Sequence, residues 1–353
     1  MRVLHVAQPT TAGVAEVART LAADQVAHGL DVHVACPLDG MLANAATTAG
    51  ARHHRWEARR GPGPTVPNET RALAAIVKAT KPDVVHLHSS KAGLAGRLAI
   101  RGRVPTVFQP HAWSFLAVTG RSRSAALAWE RWASRWTHAL VAVSEDELRT
   151  GREHGVTAPG EVVPTGVDLA RHGPRDRDAA RRELGLDDEP LAVCVGRLCE
   201  QKGQDALLAH WGNGRLALVG DGPDAETLRR GAPGGVTFAG GVADPRPWYA
   251  AADVVVVPSR WEGMALVPIE AMAAGRSVVA FGVSGIRESM PPGAGAVVTP
   301  GDAPTLVNEV VRRLSDPELA LAEGEHGRRH VERHHDAAAQ AARTREIYAR
   351  VAQ

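Results

Sequence analysis

The sequence predicts an α/β protein made of two doubly wound parallel sheets. Three observations carry this. Short β-branched runs end in glycine or polar turns and give way to helical patterns. The same series restarts past the middle of the chain, and 353 residues exceed one ordinary core. Hydrophobic residues make up 44% against 23% charged, which supplies a large core and argues against wholesale disorder.

The first series is "RVLHVA" before "TAGVAEVARTLAADQVAHG", then "DVHVAC", "DVVHLH" before "KAGLAGRLAI", and "TVFQPH". The second is "LAVCVG", "RLALVG", "VTFAG", "DVVVVPS" and "SVVAFG". Between them "VVPTGVDLARHGPRDRDAARREL" breaks the pattern with Gly, Pro and polar residues. The expected organisation is a domain over 1–168, a linker over 169–177, a second domain over 178–335 and a closing helix over 336–353. That helix carries Ile347, Tyr348 and Val351 on one stripe.

Bulk properties exclude several classes. A net charge of +2 argues against a broad nucleic-acid footprint and leaves room for a local anion-binding pocket. No run of about 18 apolar residues is present, and the start Met-Arg-Val-Leu-His-Val-Ala lacks signal-peptide features. Cys36, Cys194 and Cys199 lack metal spacing, so a reduced, cytoplasmic setting is expected, with membrane contact peripheral only, at the inner face.

Ligands of such sheets bind where loops leave the carboxyl ends of strands. Gly13 opens the first helix there, either for close approach of a phosphate or as a tight turn. In "VCVGRLCEQKG", Arg197 and Lys202 follow a strand and suit the oxygens of a diphosphate, the bland reading being a solvated loop. "VGDGPDA" matches the dinucleotide pattern with Gly220, Gly222 and Ala225, but no acid ends the next strand, which argues against a nicotinamide site. Asp176 and Asp178 read as helix-start charges rather than a metal pair, and the doublets His53-His54 and His334-His335 as surface residues, so no metal site is expected.

The stretch "SRWEGMALVPIEAMAAG" places Glu262 in a loop and Glu270 in the first turn of a helix with Pro268 near its start. Loop amides of Gly263, Met264, Ala265 and Leu266 can bind hydroxyls or phosphate, and each carboxylate can accept from sugar hydroxyls. Paired hydrolase carboxylates are the rival reading, and helix-dipole or loop hydrogen bonding is the bland one.

The Glu-x7-Glu pattern in "PSRWEGMALVPIEAMAAG", with "VGRLCEQKG", "VGDGP" and "ADVVVVPS" in order, resembles the family 4 retaining glycosyltransferases of GT-B fold. The resemblance implies two Rossmann-like domains facing across a cleft, with the C-terminal helix crossing back to the first. It implies transfer of a hexose-type sugar from a nucleotide-diphosphate sugar to an unidentified acceptor hydroxyl, by front-face displacement without a metal or other cofactor. By the same resemblance Glu270 binds the ribose hydroxyls. Glu262 and the amides of Met264, Ala265 and Leu266 face sugar and phosphate. Arg197 and Lys202 hold the diphosphate, Gly241 and Val242 lie where the base rests, and His111 in "FQPHAW" stands near the reacting sugar carbon. Two positions depart from the family: the first turn reads Thr11-Ala12-Gly13 where paired glycines are usual, and Thr165 in "PTGVD" replaces an asparagine that it can still mimic as a donor.

A UDP-sugar is the donor suggested by the family's habit. Acceptor residues are sought in "HSSKAG" at 88–93 and in "GRSRSAALAWERWASRW", where Trp129, Trp132 and Trp136 share a helical stripe among arginines. Core packing is the expectation for that stripe, and contact with anionic lipid the alternative. A sugar-nucleotide epimerase of the same fold and a noncatalytic binding module are the other function classes.

Overall fold

The computed structural model describes residues 1–212 and 214–353. The chain forms two compact units, 1–165 with 337–353, and 166–336.

In the first unit the strands are β1 (Arg2–Ala7), β2 (Asp31–Cys36), β3 (Arg52–Arg55), β4 (Val84–His88), β5 (Thr106–Gln109), β6 (Ala139–Ala142) and β7 (Gly160–Val162). They form one parallel seven-stranded sheet in the order β3-β2-β1-β4-β5-β6-β7. Helices on both faces bury the strands, which is why β1, β2 and β4 read as almost unbroken apolar runs. The C-terminal helix Ala337–Val351 belongs to this unit. Its Ile347 and Tyr348 pack on Val3, Val84, Val107 and Val141, as their stripe predicted.

The second unit holds β8 (Leu191–Val195), β9 (Arg215–Val219), β10 (Val236–Gly240), β11 (Val254–Val257), β12 (Ser277–Phe281) and β13 (Gly295–Val298). They form a parallel six-stranded sheet in the order β10-β9-β8-β11-β12-β13. The segment expected as a linker is folded into this unit. Asp168 caps the short helix Leu169–His172, and Asp176 caps Arg177–Leu184 by accepting from the Ala179 amide at 2.6 Å. Arg177 and Arg181 then bind the Asp253 carboxylate, so the basic and acidic residues that resemble a linker in sequence pin a helix to the sheet. Asp176 and Asp178 therefore act as helix-start charges, one of them a cap.

The tryptophan stripe departs from the core-packing expectation. On helix Gly120–Ala133 the fully buried residues are Glu130 and Ala133, and Trp132 is 43% exposed. Arg97 explains the choice of face: buried itself, it bonds Glu130 at 2.7 Å and lies 4.0 Å over the Phe108 ring. An ion pair withdrawn from water claims the inner face, and the tryptophans pack on each other beside it, Trp132 and Trp136 with ring centroids 4.3 Å apart. Among the described residues no helix is long and apolar enough to cross a membrane.

Candidate functional site

Strand order reverses between β1 and β4 in the first sheet and between β8 and β11 in the second. Loops leaving the carboxyl ends of such neighbours diverge and open a crevice, the usual ligand site of this architecture. Both candidate chemistries lie at these switch points.

In the second unit the loops after β8 and β11 are fastened together. Arg260 pairs with Asp205 at 2.6 Å and donates to the Glu200 carbonyl, and Gln201 donates to the Trp261 carbonyl. Gly203 makes the approach feasible: its φ is +66°, and a Cβ there would stand 2.1 Å from the Pro258 carbonyl oxygen. The result brings Lys202 Nζ to 2.6 Å from Glu262 Oε1, with the carboxylate almost wholly buried and the lysine partly exposed. Arg197 is half-buried in the same loop, where its carbonyl accepts from the Gln204 side chain.

The helix after this loop spans Leu266–Ala273, with Ala265 as a cap residue that offers no side-chain acceptor. Its first amides, Leu266 and Val267, thus lack an intrahelical partner and point out of the helix start. Glu270 is the fifth helical residue rather than a first-turn one, because the helix begins already at Leu266, two residues before Pro268. Its Oε2 accepts from the Tyr249 hydroxyl at 2.6 Å, and Oε1 lies 3.7 Å from His172 Nε2. Burial first, and then the Glu270 charge, push the Tyr249 phenol well above its ordinary value, so it stays a donor. Gly263 is buried, and Gly285 touches its carbonyl so closely that a Cβ would stand 1.8 Å away. Gly241 and Val242 are exposed and directly follow edge strand β10.

Removing the Tyr249 hydroxyl leaves Glu270 with one fewer donor and a freer side chain. Tyr249→Phe is expected to lower stability by about 1–3 kcal/mol, since the carboxylate loses a hydrogen bond inside the fold, read by thermal unfolding.

In the first unit the turn after β1 has Ala12, not Gly13 beside it, in the left-handed region, at φ +60°. Ser89 after β4 and His111 and Ala112 after β5 are also at positive φ. Four non-glycine residues in that region at the carboxyl edge of one sheet are a mark of a functional site. Ser89 Oγ donates to the Gln8 carbonyl across the switch point. Thr165 is buried, the last residue of this unit before the chain passes on. Within 88–93, Lys91 is not available to an acceptor: it is buried and paired with Glu69 at 2.7 Å. A cavity of about 780 Å³ instead opens beside β1–β3, lined by Gln8, Leu38, Asp39, Arg55, Arg59 and Thr65 among others.

Sequence reasoning missed the buried histidines. His5, His86 and His88 are fully buried, and His88 Nδ1 lies 3.2 Å from His111 Nε2. The pattern "VVHLH" with "VLHVA" was the available signal, since a strand covered on both faces must bury any histidine it carries. One histidine of each doublet also differs from expectation, while His334 is exposed as expected. His54 stacks on His33 with centroids 5.0 Å apart, and His335 is buried, because each lies on an element the core covers on one side.

Comparison with known proteins follows the same division. Residues 11–171 match the model described as Glycosyltransferase Family 4, and residues 189–316 the model described as Glycosyl transferases group 1. A GDP-mannose-dependent monoacylated alpha-(1-6)-phosphatidylinositol monomannoside mannosyltransferase of Corynebacterium glutamicum is 30% identical over 75% of this chain and 76% of its own length. The chain belongs to the family 4 glycosyltransferases. Another relative of this family 4 chain is the lipopolysaccharide core biosynthesis mannosyltransferase LpcC of Rhizobium leguminosarum, 31% identical over 61% of the chain. The alignment spans 65% of that relative's length. Among solved structures, Anabaena HepE in complex with UDP and glucose matches with a TM-score of 0.85 over 99% of both chains, at 22% identity. The two doubly wound parallel sheets are those of the GT-B fold.

Proposed function

We propose that the protein is a retaining glycosyltransferase that moves a hexose-type sugar from a nucleotide-diphosphate sugar to an acceptor hydroxyl. The observation that carries this reading is the Lys202–Glu262 pair at the β8/β11 switch point, which joins two motifs 60 residues apart beside an uncapped helix start. A lysine held by a carboxylate and flanked by Arg197 is a preformed receptor for a diphosphate.

In the proposed reaction the acceptor oxygen forms a bond to the anomeric carbon on the face from which the diphosphate departs. The bond from that carbon to the phosphate oxygen breaks, and the acceptor hydroxyl's proton passes to that oxygen, so the configuration is retained. Lys202, Arg197 and the amides of Leu266 and Val267 neutralise charge on the leaving group, and this reading requires no metal. Glu262 would meet the sugar, Glu270 the ribose, and the backbone near Gly241 and Val242 the base. Gly13 would approach the phosphates, and Thr165 would donate a hydrogen bond to the donor. In the first unit His111 is proposed to meet a hydroxyl of the sugar or acceptor.

The names of the two relatives favour a mannosyl donor, so GDP-mannose is tested first, with UDP-sugars, the expectation from sequence, as the second arm. A thermal-shift panel of GDP-, UDP- and ADP-sugars should single out one donor, because a ligand at a hundredfold its Kd adds about 2.7 kcal/mol to the folded state. Labelled sugar from that donor should then appear on an acceptor. No shift with any donor would refute the reading, and conversion of the donor alone would favour the epimerase.

A further inference from the structure

The first sheet holds a continuous chain of polar side chains, buried except at its outer end, where His111 is partly exposed. His111 Nε2 lies 3.2 Å from His88 Nδ1, His88 Nε2 lies 2.9 Å from His5 Nδ1, and His5 Nε2 lies 2.8 Å from Gln25 Oε1. A second branch leaves the same glutamine, where Tyr348 of the C-terminal helix lies 2.6 Å from His86 Nδ1. Gln25, His5, His86, His88, Gln109 and Tyr348 are all at most 1% exposed.

The sense of this chain is fixed at its ends. Burial pushes His5 down to about 4 and His111 to about 3, and holds His86 and His88 well below the ordinary value, so all four imidazoles are neutral at pH 7. A neutral imidazole has one N–H and one lone pair. The Gln25 carbonyl oxygen can only accept, so His5 carries its proton on Nε2. His5 Nδ1 is then a lone pair, which His88 Nε2–H must fill, and His88 Nδ1 in turn accepts from His111 Nε2–H. The other branch runs in the same sense. Burial pushes the Tyr348 phenol up, but Gln25 opposes that shift, as an N–H donor does. Burial, with His5 and His111, lowers His86, but Gln109 opposes it, as a carbonyl acceptor does. These two links are looser, since Gln25 Nε2, His86 Nε2 and Gln109 Oε1 do not reach full hydrogen-bond geometry. Both amides nonetheless require one polarity.

We infer that Gln25, His5 and His88 are positioning residues that lock His111 in its Nε2-protonated tautomer, so that Nδ1 faces outward as a hydrogen-bond acceptor for a hydroxyl. The inference rests on the proposed role of His111 and adds which atom acts and what holds it. The chain is a lock and not a conduit, since the branch from His111 stops on the Gln25 amide and the other on the Gln109 amide, neither of which exchanges a proton near pH 7. A fixed tautomer matters because an N–H presented at Nδ1 would meet a hydroxyl hydrogen rather than accept it.

The test is imidazole 15N NMR of the full chain, with the His111 signals assigned as those lost in His111→Gln. At pH 7 His111 should show protonated Nε2 and bare Nδ1. Gln25→Leu removes the terminal acceptor and should give a mixture of tautomers, with kcat about fivefold to tenfold lower and donor KM within twofold. Gln25→Glu keeps an acceptor and should keep one tautomer. A wild-type His111 protonated on Nδ1, or a Gln25→Leu protein with an unchanged His111 spectrum, would overturn the inference. So would stoichiometric metal in the purified protein, because His5, His86 and His88 bring one ring nitrogen each within 4.8 Å of one another and a bound ion would take those lone pairs. Full transfer by His111→Ala would instead refute the role proposed for His111 and leave the tautomer result standing.

Discussion

Lys202→Met is expected to lower kcat/KM by about a thousandfold, equivalent to about 4 kcal/mol of transition-state stabilisation. Lys202 is the side chain proposed to take charge from the departing diphosphate, and it is ion-paired with Glu262 at 2.6 Å. The two partners should differ in how much stability they cost. Glu262 has a side chain 8% exposed, so losing Lys202 strands a carboxylate that water scarcely reaches. Lys202 is 22% exposed and can turn its ammonium outward when Glu262 is lost. Lys202→Met should therefore lower Tm more than Glu262→Gln, although both nearly abolish transfer. Because the residues act as a unit, the double variant should be little worse in activity than the worse single one. Steady-state kinetics and thermal unfolding of the three variants check this, and wild-type transfer by either single variant would sink the assignment of the site.

That pair shows what the sequence made legible. Arg197, Lys202, Glu262 and Glu270 each stand in a motif of fixed spacing after a strand, so residue type and local order mark them as candidates. Their contact is a different matter: Lys202 meets Glu262 only because β8 and β11 are sheet neighbours, and strand order is not written in either motif. The alternating series predicted the central strands, whose two covered faces force apolar runs. It missed β3, β7 and β13, which lie at sheet edges, where "RHHR" and "GEV" have no continuous apolar run to betray them. β6 is internal and was missed because no Gly or Pro sets "ALVA" apart from the helical pattern before it. The histidine chain was hidden for the same reason as the ion pair. His5 and His86 are opposite one another in the β1–β4 register, and Tyr348 arrives from 262 residues away.

Acid should unfold the first unit well before it unfolds an ordinary domain. His5, His86 and His88, which are fully buried, and His111, which is partly buried, are neutral in the folded state, and desolvation depresses each of them, His5 to about 4 and His111 to about 3. In the unfolded chain each titrates near 6.5. Between those values the unfolded chain binds more protons than the folded one, so stability is fully present above about pH 6.5 and is lost as pH falls toward the folded values. Each histidine costs up to about 1.4 kcal/mol per pH unit in that window, and His5 alone accounts for something on the order of 3 kcal/mol. Even a fraction of the combined cost rivals the roughly 5–15 kcal/mol that holds a domain together. Urea unfolding followed at pH 7.5, 6.5, 5.5 and 4.5 should give a flat upper range and a steep fall below it, with the tautomer signals of His111 disappearing in the same transition. His86→Phe deletes one titrating group outside the branch that reaches His111, and should make the fall shallower even where it lowers stability at pH 7.5. A stability that stays level down to pH 4.5 would mean that these imidazoles are charged or hydrated in the folded protein, and the neutral histidine lock would fall with it.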